Sequence, residues 1–585
     1  MSLEAGLALC RPFGEEGRMA AALKRAVWTQ RRTYRPRADG KVKLPKEFDA
    51  ILTRITAGER IAAPELLPYL CLEERAQRAE VNAQLADAYF HASTPEHIAQ
   101  AKIFAQRAWL LTGFSAELLP LYTRILSATG DTERIREAYK RAGIEAGRQG
   151  RIADALRFFE LWQYAYHEFD HVDRYEYDFD IMHCVNDLAA PHRFAHDPAQ
   201  ALAPGEKIRL ACLVRGMMEI NSILIKIDLE LAKYRDRSRF DVTIFVPESR
   251  AAVLASPQGR DHIAAFEALD YPVVTASDSD NTEEMLLDIA GRIKDFNPHI
   301  MVTSAALADF SHYFITSLRP APIQVGLVQG APAQFAPPTL DWCIAWTRHP
   351  LLDCPVDSSW VRIYLDWPSC DGIAGYNRSE MGIPEDACVL LSGGRQAKFQ
   401  DPEFWKIIAE LLAEHPNAHY LAVGPLMNQI PVFTEIVPQE LKPRIRCLGW
   451  REDFLRILRI ADIAIDTYPN GGGQVVVQAM SMGIPIVAHR NDYMQPFTQT
   501  AWSPAEDFLN ETDLLVPRGD FARFKQIISR LIEDPQYRRE AGERCRAQHV
   551  KQADPTAAVR RCEEIYTELV ERHLAAQPGS DGARD

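Results

Sequence analysis

From Ile208 onward, short apolar runs rich in β-branched residues alternate with amphipathic helical stretches, and the cycle runs through twice. The first cycle reads "IRLACLV", the helical "SILIKIDLELAKYR", "FDVTIFVP", "YPVVTAS", the helical "TEEMLLDIAGRIKDF", "HIMVTSA", "PIQVGLV" and "DWCIAWT". The second runs from "CVLLSGG" through "DPEFWKIIAELLAEH", "AHYLAVG", "RIRCLGW" and "IAIDTYP" to "GGQVVVQAMSMG", "IPIVAH" and "FARFKQIISRLIEDP". Strands separated by helices cannot pair through tight hairpins, so they align in parallel with helices on both faces. The expectation is an α/β fold with two Rossmann-like domains, over 207–350 and 386–575, joined by a connector at 351–385. In open sheets of this kind ligands lie beyond the carboxyl ends of the strands. The cleft between the domains is therefore the expected site.

The chain before that alternation has a different texture. Over 48–190 it reads as helix after helix: "AELLPLYTRILSATGD", "TERIREAYKRAGIEAGRQG" and "RIADALRFFELWQYAYHE" repeat apolar residues at three- and four-residue spacing. Gly130 and Gly150 read as helix stops, and Ala108, Ala138 and Ala155 stand where paired helices approach closely. This reads as degenerate TPR-like hairpins without a clean 34-residue register. Such arrays cover extended partners, so the domain is expected either to dock a protein acceptor or to serve as a packing appendage. A Pro- and Ala-rich linker spans 191–206, and a short tail spans 576–585.

At 585 residues the chain exceeds a single core. Its 66 basic and 80 acidic residues leave a net charge of −14, which argues against a nucleic-acid partner. No apolar run reaches the roughly 18–20 residues of a membrane-spanning helix, and the first residues lack the sections of a signal peptide. The eleven cysteines contain no CxxC pair, which points to a reducing, cytoplasmic setting without a zinc ribbon. The basic arm within 1–47, Lys24 to Lys46, reads as a solvated segment, with a membrane-surface or acidic-partner contact as the alternative. Met19 begins a more ordinary N-terminus than Met1.

The chemistry concentrates in "IDTYPNGGGQVVVQAMSMGIPIVAH", Ile465 to His489. Three glycines cost backbone entropy and mark a close approach. Between a strand ending in Asp466 and a helix, Gly471, Gly472 and Gly473 can turn backbone N–H groups and a helix N-terminus toward an anion such as a diphosphate. A packing turn is the other reading. Gln474 and Gln478 fall one helical turn apart on one face, where the second can reach a ribose.

"DTYPNGGGQVVVQAMSMGIP" resembles the nucleotide-sugar loop and helix of the O-GlcNAc transferase family and its bacterial relatives, which include cytoplasmic adhesin glycosyltransferases acting on asparagine. "LRPAPIQVGLVQGAPAQFAPPTLDW" resembles that family's Arg-Pro-Ala-Pro-Ile-Gln segment, whose following loop, with Gln329, faces the cleft. "SGGRQAKFQDPEFWKIIAELLAEHP" resembles the loop carrying the family's diphosphate-binding lysine, here Lys398 with Arg395 beside it. The resemblance covers roughly Ile208 to Val570. It implies the two-domain GT-B architecture behind a TPR-like domain, and a metal-independent hexosyl- or N-acetylhexosaminyl-transferase with a UDP-sugar donor and a protein side-chain acceptor.

The chain departs from that family in places. Gly473, Gln474 and Val475 replace a His-Thr-Thr triplet, and Gln478 replaces an acidic residue, which removes charge assistance toward a diol. "VRGMMEINS" lacks the family's histidine, leaving Glu219 as the nearby general-base candidate, with Asp309 and His312 in "ALADFSHYF" as others. Trp450 in "LGWRED" reads either as a wall of the base pocket or as core. These departures keep a retaining transferase, a glycan or glycolipid acceptor, and a donor-inactive scaffold as alternatives. "HEFDH", His167 to His171, matches the HExxH zinc pattern without a third ligand, and "DFD", Asp178 to Asp180, precedes the first Rossmann strand. The first reads as polar residues at the end of a solvated helix, the second stands in the wrong place for a metal site, and no metal is expected.

Overall fold

The computed structural model describes residues 44–575 apart from 116, 171–174, 197–201, 204, 220–221, 305–308, 329–336, 349–353, 363–371, 491–497, 500–502 and 511. Nearly all of the basic arm, the tail and Gln329 lie outside the described residues. The chain divides into two compact units, Met1–His171 and Val172–Asp585.

The first unit is helical: α1 (Glu47–Thr56), α2 (Ala63–Leu70), α3 (Arg75–Ala92), α4 (Pro95–Leu111), α5 (Leu119–Ala128), α6 (Thr132–Arg148) and α7 (Ile152–Ala165). Helices α3 and α4 pack as one pair and α6 and α7 as another. Gly130 and Gly150 take φ of 65° and 69°, the left-handed conformation that stops a helix with no Cβ penalty. Ala108, Ala138 and Ala155 are buried, and a Cβ on Gly143 would stand 2.4 Å from the Phe159 ring, so α6 and α7 meet across small residues. Arg136 lies between Trp162 and Tyr166, 4.5 and 4.2 Å from their ring centres, and donates from Nη1 to Tyr166 Oη at 2.8 Å.

The second unit begins upstream of the expected linker. Helix α8 (Phe179–Ala189) packs against a helix of the α/β unit, and Asn186 Nδ2 donates to Tyr313 Oη at 3.2 Å. Seven parallel strands follow: β1 (Ile208–Leu213), β2 (Phe240–Ser249), β3 (Val273–Ala276), β4 (Ile300–Thr303), β5 (Ile323–Val328), β6 (Trp342–Ala345) and β7 (Ser358–Trp360). Their order is β3-β2-β1-β4-β5-β6-β7. A second parallel sheet holds β8 (Cys388–Gly393), β9 (Ala418–Val423), β10 (Ile445–Cys447), β11 (Ile463–Ile465), β12 (Ile486–His489) and β13 (Leu515–Val516), ordered β10-β9-β8-β11-β12-β13. Each order reverses direction after its first strand, as in doubly wound dinucleotide-binding folds.

Local signals explain the elements. Helix α9 (Pro402–Glu414) opens with proline at its first turn, and Asp401 Oδ1 accepts the Phe404 N–H at 2.9 Å. Its inward face delivers Phe404 and Trp405 to a fully buried cluster with Phe399, Tyr420 and Phe433. Each such side chain contributes roughly 2–3 kcal/mol of transfer free energy, so this cluster anchors the second sheet. The final helix, α10 (Pro555–Ala575), returns to the first sheet. Glu563 Oε1 accepts the Asp236 N–H at 2.8 Å, and Arg239 Nη2 donates to Thr567 Oγ1 at 3.0 Å.

Candidate functional site

In the second sheet the order reverses between β8 and β11, so the loops that leave these two strands border the crevice. The first holds Gly394 to Lys398; the second holds Asp466 to Gly472 and leads into helix α11 (Gly473–Ser481). Lys398 sits in a single 3-10 turn, Gln396–Phe399, and its N–H donates to Arg395 O at 3.0 Å. Its Nζ donates to the Gly471 carbonyl at 2.5 Å. Residues 73 positions apart thus bring an amine to the glycine turn. Lys398 is 9 % exposed, which excludes a freely solvated loop cation.

The three glycines have separate reasons. A Cβ on Gly471 would stand 2.2 Å from Asp466 Oδ2 and 2.6 Å from Ser503 Oγ, and one on Gly473 would stand 2.7 Å from Trp346 Cη2. At Gly472 the nearest atom would be Val475 Cβ at an ordinary 3.6 Å. Packing therefore dictates the outer two, while the middle one faces room. Asp466 organises the turn: its Oδ1 accepts the Gly472 N–H at 2.8 Å and the Thr467 N–H at 3.0 Å, and Oδ2 accepts from Ser503 Oγ at 3.2 Å. Burial pushes its carboxyl up to about 6, against the pull of the Gly472 N–H, the Lys398 charge and Ser503.

Helix α11 begins without a side-chain cap, so its first-turn N–H groups at Gly473, Gln474 and Val475 have no intrahelical acceptor. It ends at Gly483, φ 70°, ahead of Pro485, which cannot continue it. Gln474 is half-buried and its Oε1 has no hydrogen-bond partner among the described residues, whereas Gln478 one turn on is buried. Arg395 is exposed beside Lys398. Trp450 is 58 % exposed, which rules out the core reading; it follows β10, and exposed Leu426 and Met427 follow β9. Gly424, at φ 123°, fixes where those loops leave the sheet: its Cβ would meet the Gly394 carbonyl at 1.8 Å.

The first sheet reverses between β1 and β4, and the other candidates gather there. Asp309 caps helix α12 (Phe310–Ser317) by accepting the His312 N–H at 3.0 Å. Its carboxylate lies 2.9 Å from Arg215 Nε and 3.2 Å from His312 Nδ1. Burial would raise the Asp309 pKa, but the His312 charge and hydrogen bond, then Arg215, hold it well below the carboxylate range. Burial would likewise lower that of His312, but Asp309 and then Glu248 raise it. His312 Nε2 faces the Val214 carbonyl at 3.3 Å, while Nδ1 lies near the Asp309 carboxylate without a hydrogen bond of good geometry to it among the described residues. Glu219 is exposed, with Ser222 Oγ donating to its Oε2 at 3.3 Å.

Sequence reasoning passed over Glu248. It stands at the carboxyl end of β2, in a bulge between Val246 and Ser249, and bulges re-aim side chains. Burial holds its carboxyl above the ordinary range, and its Oε2 has no hydrogen-bond partner among the described residues. Its place at a strand's carboxyl end, directly after "FVP", was the available signal. A cavity of about 20 Å³ beneath β1, lined by Asp228, Arg235 and Tyr566 among others, has room for a water and not for a nucleotide.

The Asp309–His312 pair has a definite pH signature. A raised His312 pKa contributes stability that is full below about pH 6.5 and is lost as pH rises through the folded value; a lowered Asp309 pKa contributes above about 3.8. The thermal-unfolding gap between wild type and His312→Gln is therefore expected to peak near pH 5–6 and to narrow past neutrality. A gap that stays constant across that range would show that His312 is uncharged.

Among the described residues, no group of three His, Cys, Asp or Glu side chains is placed to hold a metal. His167 and Glu168 lie in a π-helical turn, Tyr166–Asp170, and His171 lies outside the described residues. Asp178 of the "DFD" sequence caps α8, accepting the Ile181 N–H at 3.2 Å. No helix among the described residues is long and apolar enough to cross a membrane.

Residues 401–534 match the family described as Glycosyl transferases group 1. Two relatives are D-inositol 3-phosphate glycosyltransferases. That of Corynebacterium kroppenstedtii is 27 % identical over 227 residues, 37 % of this chain and 48 % of the relative. That of Corynebacterium efficiens is 27 % identical over 223 residues, 36 % and 50 % respectively. The chain thus spans about half the length of the curated relatives it matches. Among solved structures, a point mutant of the O-GlcNAc transferase of Thermobaculum terrenum superposes with a TM-score of 0.57 at 16 % identity, over 91 % of this chain and 99 % of the other. That likeness establishes the GT-B fold.

Proposed function

We propose that this chain, which carries a glycosyl transferases group 1 domain over residues 401–534, moves a sugar from a nucleoside-diphosphate sugar, UDP-linked, to a protein side chain without a metal. The observation that carries the donor half is the Lys398 amine set against the glycine turn at the N-terminus of α11. Breaking the sugar–diphosphate bond builds negative charge on the leaving oxygens. An ammonium and the first-turn N–H groups of α11, which have no intrahelical acceptor, oppose that charge from fixed positions. Arg395 adds a second cation at the rim. Trp450, with Leu426 and Met427, offers an exposed apolar surface suited to a nucleobase. Gln474 and Gln478 supply amides for the ribose, and Gln329 is assigned to contact the same donor.

On the acceptor side, Glu219 is the exposed carboxylate at the switch point and takes the acceptor proton. The acceptor atom bonds to the anomeric carbon as the bond to the diphosphate oxygen breaks, and the nucleoside diphosphate departs with that electron pair. Asp309, with Arg215 and His312 against its carboxylate, anchors the start of α12 beside it. The helical unit docks the protein acceptor, and the nine described cysteines, all free thiols, suit a cytoplasmic location.

Calorimetric titration of the full chain with UDP, and with ADP as control, tests this reading. Binding of UDP that survives chelator is expected, and a flat UDP titration would end the UDP-donor assignment. A second reading, transfer to a small-molecule or glycan acceptor, is favoured by the names of the Corynebacterium relatives. Mass spectrometry of co-purified proteins after incubation with UDP-sugars separates the two: a hexose or N-acetylhexosamine increment on a polypeptide supports the first.

A further inference from the structure

Asp507, in the short helix α13 (Ala505–Leu509), is 0 % exposed, and a carboxylate there depends on its donors. Both of its oxygens are met by one residue from the other sheet's half. The Arg348 N–H donates to Oδ2 at 2.8 Å and Arg348 Nε donates to Oδ1 at 2.5 Å. Arg362 Nη2 donates to the Asp507 carbonyl at 2.9 Å. Both guanidinium groups stack on Trp360, 5.0 and 4.7 Å from its centre, and Trp360 Nε1 donates to the Trp346 carbonyl at 3.2 Å.

This junction touches the glycine turn by two routes. Ser503, four residues before Asp507, donates to Asp466 Oδ2, whose partner oxygen holds the Gly472 N–H. Trp346 Cη2 and Pro504 Cγ lie 2.7 and 3.1 Å from where a Gly473 Cβ would be, so they press on the first residue of α11. We propose that Arg348 is a positioning residue for the donor turn: through Asp507 it fixes Ser503 and Pro504, and through them the backbone from Asp466 to Gln474. The proposal rests on the donor reading above.

The physical reason is the cost of a stranded charge. Without the guanidinium, the buried carboxylate keeps, among the described residues, only a backbone donor from Arg348. It must then swing toward water, carrying α13 with it. The segment at 503–504 then loosens against the turn. Arg348 is itself about half exposed, so its removal leaves no cavity in the core.

Hydrogen–deuterium exchange on the full chain, without nucleotide, reads the effect directly. In Arg348→Ala, amides across 466–475 are expected to exchange at least tenfold faster, while those of β9 keep wild-type rates. Arg348→Lys, which retains the charge, is expected to recover part of the protection. UDP affinity in Arg348→Ala is expected to fall about tenfold. Unchanged exchange at 466–475 in Arg348→Ala overturns the positioning role. A wild-type chain that ignores UDP while the variant exchanges faster would overturn the donor reading alone.

Discussion

Lys398→Ala is expected to cut sugar transfer by about 10²–10³-fold and to weaken UDP binding at least tenfold. One preorganised donor opposite a developing oxyanion is worth roughly 3–4 kcal/mol in transfer reactions, and Lys398 is the buried cation nearest the turn. Its structural share is smaller: a charge-assisted hydrogen bond such as Nζ to the Gly471 carbonyl contributes roughly 1.5–3 kcal/mol, spread over a large unit. The variant should therefore melt within a few degrees of wild type while losing most of its activity. Lys398→Arg keeps the charge but brings a wider planar fork into a space shaped for one ammonium, so an intermediate rate is expected. Steady-state rates, UDP calorimetry and thermal melts on the three proteins decide the matter. Full activity in Lys398→Ala would place the diphosphate elsewhere.

Alanine at each of the three glycines should produce two different failures. Gly471→Ala and Gly473→Ala push a methyl group to 2.2 Å from Asp466 Oδ2 and 2.7 Å from the Trp346 ring. The neighbours are buried and must shift, so a loss of roughly 1–3 kcal/mol is expected, visible as a lower denaturant midpoint. Gly472→Ala meets nothing closer than 3.6 Å and should fold as wild type. If a diphosphate approaches the backbone there, the added methyl blocks it, and UDP affinity drops with no change in stability. Equal stability loss in all three would make the turn a packing device only.

Much of this protein was legible in its sequence for a simple reason. Short apolar runs and period-3.6 apolar patterns are properties of the local chain, so the two α/β cycles and the helical N-terminal unit could be read from "IRLACLV" or "RIADALRFFELWQYAYHE" alone. Helix stops at Gly130, Gly150 and Gly483 follow from local backbone sterics. In the "DFD" match Asp178 serves as an N-cap, a position that draws on the same residue type as a metal ligand. The start of the second unit was harder to see, since α8 looks like one more amphipathic helix until its packing partner is known.

By itself, then, the sequence determined which elements form, in what alternation, and which loops carry glycine, lysine and carboxylate. Only the tertiary structure decided what those residues face. Whether Lys398 is solvated or set against Gly471, whether Asp309 is free or paired with Arg215 and His312, and whether Asp507 is stranded or held by Arg348 all depend on parallel strands bringing distant loops to one sheet edge. Side-chain environment is a long-range property: burial and charge partners come from residues tens to hundreds of positions away. Glu248 shows the same limit, because a bulge that turns a carboxylate inward is written in the pairing of two strands and in neither one alone.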